Sequence, residues 1–186
     1  MVAGECDNSG RKFLVMRFNS NGSLDTSFSG DGIVTTSIGT SCAAYSVAVQ
    51  ADGKIIAAGT SEDKDFALAR YNTDGSLDTS FDGDGMLTQH MGDAGAGEQI
   101  NTIALQTDGK IMVAGYATVT NEVWAIARFN SNGTLDTGFG TGGKSIEWTH
   151  SNPADEIAHG PSPGNKLGIQ SIALQSDGKI AATGYD

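Results

Sequence analysis

Apolar residues alternate with small or polar residues in short runs, and glycine separates these runs throughout the chain. The runs SVAVQ from Ser46 and KIIAAG from Lys54 flank the Asp-Gly pair Asp52-Gly53. Such a pair between two apolar runs is a strong hairpin signal, because glycine readily adopts positive φ. Phe66–Asn72 (FALARYN) predicts a third strand and MLTQH from Met86 a fourth. No window shows the 3.6-residue apolar period of a helix, so the pattern predicts units of four antiparallel strands.

The four-strand unit is repeated in tandem. Its first half reads AYSVAVQADGK, QINTIALQTDGK and GIQSIALQSDGK, from Ala44, Gln99 and Gly168. Its second half reads MRFNSNGSLDTSFSGDG, ARYNTDGSLDTSFDGDG and ARFNSNGTLDTGFGTGG, from Met16, Ala69 and Ala127. The period is about 55 residues, with one longer spacing before the last copy. Four strands per unit, repeated, predict the blades of an all-β propeller, with another β-solenoid as the alternative.

The phase of the repeat sets the domain organisation. Residues 1–4 (MVAG) align with the second strand of each unit, so thirteen strands are predicted in the order B-C-D, A-B-C-D, A-B-C-D, A-B. The chain is then a single propeller segment with strands B-C-D over 1–39, blades over 40–92 and 93–150, an insertion over about 148–168, and strands A-B over 168–186. Three blades and a duplicated strand fall short of the usual closed ring of four to eight blades. Either the chain is an excerpt of a longer protein, or it self-associates into a ring or a polymer.

The run FALARYNTDGSLDTSFDGDG, together with SVAVQADGKIIAAG in the preceding half-unit, resembles the delta-60 repeat family of bacterial β-propellers. The first hairpin is also similar to that of NHL-type blades, which makes SVAVQ the inner strand A. The resemblance implies tandem repeats of a large secreted or surface protein, and hence an extracellular or cell-surface location. Members of this family mostly have no assigned activity, so the resemblance supports the fold and implies little about function.

The net charge and the number of cysteines limit the kinds of partner and covalent cross-link that the chain can have. With 11 Lys and Arg against 22 Asp and Glu, the net charge is −11, which argues against nucleic acid as a partner. Cations, glycans, neutral ligands and basic proteins stay open. No run is long and apolar enough to predict a transmembrane segment. Cys6 and Cys42 allow at most one disulfide, and the sequence leaves open whether they are free or bridged.

Oxygen-bearing side chains recur around a glycine turn after strand C. This spacing suits calcium, which takes six to eight oxygen ligands from flexible loops. The same residues are ordinary in Asx turns, so turn architecture is the alternative to a calcium site. The candidate ligands are Asn19, Asn21, Asp25, Asn72, Asp74, Asp78, Asn130, Asn132 and Asp136.

An arginine occupies the same strand-C position in every copy, and an aspartate follows it in the LDTSF or LDTGF segment. Because Arg and a carboxylate form strong paired hydrogen bonds, we predict structural Arg–Asp pairs that hold the long C–D connection on the sheet. The pairs are Arg17 with Asp25, Arg70 with Asp78 and Arg128 with Asp136. Aromatic residues in the same connection are predicted to fill the gap between neighbouring blades, at Phe28, Phe81 and Phe139.

The non-repeated insertion between the last strand D and the last strand A is a candidate binding loop, because long loops on a rigid scaffold often carry binding. In a propeller this D–A connection shares a face with the B–C loops. The candidate contact residues are Trp148, His150, Asp155, Glu156 and His159. A mixed nitrogen and oxygen metal site formed by His150, Asp155, Glu156 and His159 is the less favoured interpretation, since their spacing matches no zinc signature.

No nucleophile, metalloprotease or phosphate-loop motif is present, so no catalytic residue is predicted. The predicted inner strands read AYSVAVQ, QINTIALQ and IQSIALQ, without an acid or a base to act in a central channel. The sequence therefore predicts a non-enzymatic binding or structural module that displays loops to a protein or glycan partner. The alternatives are a self-assembling repeat, and a lyase- or hydrolase-type propeller that takes its acid and base from loops.

Overall fold

The computed structural model describes residues 1–7, 10–62, 64–92, 97–119, 122–147 and 168–185. These residues form thirteen strands and no helix, and so none that is long and apolar enough to cross a membrane. The strands are β1 Val2–Asp7, β2 Arg11–Met16, β3 Ile33–Thr36, β4 Ala43–Val49, β5 Ile55–Thr60, β6 Phe66–Tyr71, β7 Met86–Gln89, β8 Glu98–Leu105, β9 Ile111–Thr118, β10 Glu122–Phe129, β11 Lys144–Glu147, β12 Gly168–Leu174 and β13 Ile180–Tyr185.

The strands form four antiparallel sheets in chain order. The first sheet is β1-β2-β3, the second β4-β5-β6-β7, the third β8-β9-β10-β11 and the fourth β12-β13. This confirms the predicted all-β fold of four-stranded blades, with three units and one duplicated strand. The A–B hairpins close as their sequence predicts: Gly53 has φ +83°, and Asp52 Oδ1 accepts a hydrogen bond from Lys54 N at 3.0 Å.

The sheets pack face to face through their inner strands. Strand β4 contacts β1 and β2, β8 contacts β4, β5 and β6, and β12 contacts β8, β9 and β10. The second sheet is covered on both faces, because every residue of β6 is buried. Phe66 and Leu68 join the core towards the third sheet, while Ala67, Ala69 and Tyr71 join the core towards the first. Successive side chains of β6 thus point to opposite faces of the sheet and pack into two separate hydrophobic cores.

The connections lie on two opposite rims of the stack. The turn rim carries the A–B and C–D connections, and the loop rim carries the B–C and D–A connections. On the turn rim, Ser29 N donates to Asp74 O of the next sheet at 2.7 Å. On the loop rim, Thr60 Oγ1 donates to Glu98 O of the next sheet at 2.9 Å. Functional side chains are therefore placed either by tight repeated turns or by connections that differ between units.

Candidate functional site

In each C–D turn, the side chains predicted as calcium ligands hydrogen-bond within their own turn. Asp74 Oδ1 accepts hydrogen bonds from Ser76 N at 2.9 Å and Ser76 Oγ at 2.7 Å. Asn72 Nδ2 donates to Ser76 Oγ at 3.0 Å and to Leu77 O at 3.3 Å. The same contacts recur around the remaining turn residues, Asn19, Asn21, Asn130 and Asn132. The structure thus brings the candidates together as Asx turns, whose oxygens already accept hydrogen bonds.

The arginines of strand C lie beside the aspartates of the C–D connection in all three units. The distances from Arg Nε to Asp Oδ2 are 2.7, 2.6 and 2.7 Å for the three successive pairs. The middle pair is the most buried: the side chains of Arg70 and Asp78 are 6% and 7% exposed, against 21% and 24% for Arg17 and Asp25. Lys54 Nζ adds a second cation at 2.8 Å from Asp78 Oδ2.

Hydrogen bonds and charge decide the ionisation of Asp78. Burial by itself raises the pKa of this carboxyl, since it disfavours the charged form. Hydrogen bonds from Lys54 and Ser80, together with the charge of Arg70, outweigh burial and hold the pKa of Asp78 well below its usual range. Asp78 is therefore a carboxylate at neutral pH, and its pairing is fully formed there.

The same arginines connect each unit to the next on the turn rim. Arg17 Nη1 donates to Thr73 O at 2.5 Å, and Arg70 Nη1 donates to Ser131 O in the corresponding turn of the third unit. Asp82 N also donates to Asn132 O at 2.9 Å. We call this arrangement of an arginine, its aspartate and the next unit's turn carbonyl the turn-rim clamp. It joins a C–D connection to its own sheet and to the neighbouring unit.

The aromatic residues of the C–D connections lie between units, as their position in the repeat suggests. Phe28 and Phe81 are fully buried, and a guanidinium lies 4.7 Å from the centre of each ring. A Cβ built on Gly75 would lie 3.2 Å from the Phe28 ring, and one on Gly133 would lie 3.2 Å from the Phe81 ring. Both glycines also have positive φ, so the next unit's turn fits over each ring only as glycine. Phe139 is only partly buried, because the fourth sheet contains only β12 and β13.

The predicted binding loop, with Trp148, His150, Asp155, Glu156 and His159, lies outside the described residues. On the described part of the same rim, three other ionisable residues converge. They are Asp65 before β6, His90 after β7 and Glu98 at the start of β8, and we call them the loop-rim triad.

The imidazole of His90 is the centre of the triad. Its Nδ1 lies 2.9 Å from Asp65 Oδ1 and 3.1 Å from Glu98 Oε1. The Glu98 side chain is completely buried, and it accepts hydrogen bonds from Met91 N at 2.8 Å and Gly92 N at 2.6 Å. The imidazole itself is 38% exposed, so the triad runs from the interior between two blades to the surface of the rim.

The pKa values of His90 and Glu98 shift because the groups of the triad lie close together. The hydrogen bond to Asp65 raises the pKa of His90, burial opposes that shift, and the charges of Glu98 and Asp65 add to it. Burial raises the pKa of Glu98, against the hydrogen bonds from Gly92 and Met91. The protonation states of His90 and Glu98 therefore depend on each other.

Sequence reasoning missed the triad, because its members are distant along the chain and do not recur in the repeat. At the junction of the first and second sheets, Cys42 occupies the position of Glu98, and its Sγ accepts a hydrogen bond from Ile38 N at 3.3 Å. Met91 is the counterpart of Ile38, so the same backbone N–H is bound by a thiol in one junction and a carboxylate in the other. Cys6 and Cys42 are both free thiols. Aligning the repeats and searching for positions where only one unit carries an acidic or basic side chain would have indicated His90 and Glu98, whereas the first unit carries Lys12 at the position of Asp65.

Comparison with protein families gives one result that agrees with this geometry. The family described as "Domain of unknown function (DUF5122) beta-propeller" matches residues 1–28, 50–81 and 106–139, which cover strands B and C and most of the C–D connections. Comparison with curated proteins finds no match. The matched segments contain every turn-rim clamp and together make up about half of the chain. The chain belongs to the DUF5122 β-propeller family.

Proposed function

We propose that the chain is a non-enzymatic β-propeller module that displays its loop rim to a partner. The observation that carries this proposal is the turn-rim clamp, which uses the repeated charged residues to hold one unit against the next. Arg17 and Arg70 each bind both an aspartate of their own unit and a carbonyl of the following one. A scaffold fixed at one rim leaves the non-repeated connections of the other rim free to vary in shape and chemistry.

The inner strands support a binding module over an enzyme. Along β4, β8 and β12, the only ionisable side chains are Tyr45 and Glu98. Tyr45 is partly exposed, and burial raises its pKa, so its phenol stays neutral at pH 7. Glu98 is completely buried and bound by backbone N–H groups. A hydrolase or lyase site would need acid and base groups facing one reacting atom in the channel.

The finer parts of the proposal rest on sequence resemblance and charge. The resemblance of the repeats to the delta-60 family of bacterial propellers implies an extracellular or cell-surface location. The net charge of −11 favours a basic protein segment as the partner, and a glycan is the alternative.

We further propose that the C–D turns act as structural turns and do not require calcium, because their oxygens already accept hydrogen bonds within the turn.

The test replaces residues 148–167 by residues 37–42, the shorter connection of the first junction. Wild type and variant are then compared for binding to arrays of basic peptides and of glycans, and for melting temperature. We expect an unchanged melting temperature and loss of the wild-type binding signal. Equal binding by both proteins would contradict display by this rim. Turnover of chromogenic glycoside or ester substrates by wild type would contradict the non-enzymatic assignment.

Self-association is a second candidate function, favoured by exposed apolar side chains on the first and fourth sheets. In the four-stranded sheets an inner strand pairs with strand B, whereas among the described residues no such strand lies beside β1 and no strand C lies beside β13. Val2 on β1 is 51% exposed and Tyr185 on β13 is 59% exposed. Unpaired edges with exposed apolar side chains are templates for strand pairing with another copy. Light scattering should give a mass above 19.1 kDa that falls to the monomer's on deleting residues 180–186. A wild-type monomer would rule this candidate out.

A further inference from the structure

We propose that Asp65, His90 and Glu98 bind a divalent transition-metal ion between the second and third blades. One ligand atom from each residue can be chosen so that all three lie within 4.8 Å of one another. The two distances from His90 Nδ1 to the carboxylate oxygens are 2.9 and 3.1 Å. Metal-to-ligand bonds of about 2.1 Å at a tetrahedral angle separate neighbouring ligand atoms by about 3.4 Å, and the two distances from His90 Nδ1 are close to this spacing.

The hydrogen bonding of the triad favours a metal ion over a proton. His90 Nδ1 carries at most one hydrogen, yet oxygens of two carboxylates face it at nearly equal distances. A single N–H cannot make two full hydrogen bonds, so the imidazole cannot fully satisfy both carboxylates, although Glu98 also accepts hydrogen bonds from Met91 N and Gly92 N. A divalent ion at the point where the three atoms converge would bind all of them and would neutralise both carboxylates. Imidazole nitrogen with carboxylate oxygen suits zinc and its neighbours, whereas calcium prefers an all-oxygen shell.

The fold itself does not require these three residues. Strand register places Lys12, Ser37 and Cys42 of the first junction at the positions of the triad. That junction also forms, with Cys42 only 2% exposed and bound to the end of the preceding strand. Burying a carboxylate is costly unless its charge is compensated, so the replacement of a thiol by Glu98 needs a reason other than packing.

The surroundings allow an ion to enter and to join the blades. His90 is 38% exposed and lies at the surface of the rim, while Glu98 is buried and held by two backbone N–H groups. Lys144 of β11 donates to the carbonyl oxygen of His90 and so helps to fix the backbone of that residue. Asp65 and His90 belong to the second unit and Glu98 to the third. A bound ion would therefore cross-link two blades and stabilise the folded chain.

The test is calorimetric titration of the full chain with zinc chloride after treatment with EDTA, followed by cobalt absorption spectroscopy. We expect one ion per chain, a higher melting temperature with zinc, and d–d absorption bands with cobalt. His90→Ser, which restores the residue of the first junction, should abolish all three signals. Calcium at the same concentration should give no binding that depends on His90.

The two other histidines provide the matched control, because His150 and His159 are themselves capable ligands. The double variant His150→Ala, His159→Ala should bind zinc like wild type. The proposal is overturned if this double variant loses binding, if His90→Ser keeps it, or if wild type binds no zinc. Circular dichroism and the melting temperature of His90→Ser without metal confirm that the variant is folded, so a loss of binding reports on the site.

Discussion

The two rims of this propeller use their charged residues in opposite ways. On the turn rim, every unit carries the same arginine and aspartate at the same distance, and the arginine reaches the next unit where a C–D turn follows. On the loop rim, a cluster of three ionisable residues lies at the junction of the second and third sheets, and the first junction has a buried thiol in place of Glu98. Residues that recur in every copy stabilise the packing of the units, whereas residues found at only one junction are free to carry a function.

Within the turn rim, the more buried Arg–Asp pair should contribute more to the free energy of unfolding. Arg70→Ala leaves the carboxylate of Asp78 buried with only Lys54 as a cation, and we expect a loss of about 3–5 kcal/mol. Arg17→Ala breaks the same contact where both side chains are more than 20% exposed, so its cost should be about 1 kcal/mol. Urea unfolding measures both. Equal losses would show that burial does not set the strength of the clamp.

The ring between two units should matter more than the ring at the open end. Phe81→Leu removes a fully buried ring that packs under the turn of the next unit, and we expect a loss of about 1–2 kcal/mol. Phe139→Leu changes a partly buried ring that has no following C–D turn, so its cost should be less than half as large. Thermal unfolding of both variants checks the order, and the reverse order would contradict packing between units.

Acid should weaken the turn rim gradually. The folded-state pKa of Asp78 lies below its unfolded value, so its contribution is fully present above the unfolded value of about 3.9. It is lost as the pH falls below 3.9 towards the folded-state pKa. The free energy of unfolding, measured from pH 5 to pH 2.5, should fall more steeply for wild type than for Asp78→Asn. Parallel curves would mean that this carboxyl does not drive the acid sensitivity.

The smallest effects are expected at the exposed turn side chains. Asn21→Ala removes two hydrogen bonds within an exposed turn, and its cost should be about 0.5 kcal/mol. If the turns do not require calcium, adding calcium or EDTA should leave the melting temperature of His90→Ser unchanged. This variant is used so that metal at the loop-rim triad does not contribute. A rise with calcium that Asn21→Ala reduces would instead show a calcium site.

Sequence reasoning predicts one rim far better than the other, for a physical reason. The strand order and the partners Arg70 and Asp78 follow from the repeat, because local spacing places them on one sheet. The reach of Arg70 to Ser131 depends on how the sheets stack, which periodicity does not encode. The triad was missed because His90 reads only as the end of a strand, and its partners come from a loop and from the next unit.

The most direct test of the difference between the rims is a comparison of two variants by urea unfolding in the presence of EDTA. The first is Arg70→Ala. The second replaces the triad by the residues of the first junction, through Asp65→Lys, His90→Ser and Glu98→Cys. We predict a loss of about 3–5 kcal/mol for the first and less than about 1 kcal/mol for the second. A triad replacement that costs as much as the broken clamp would contradict the account, because the loop rim would then be structural as well.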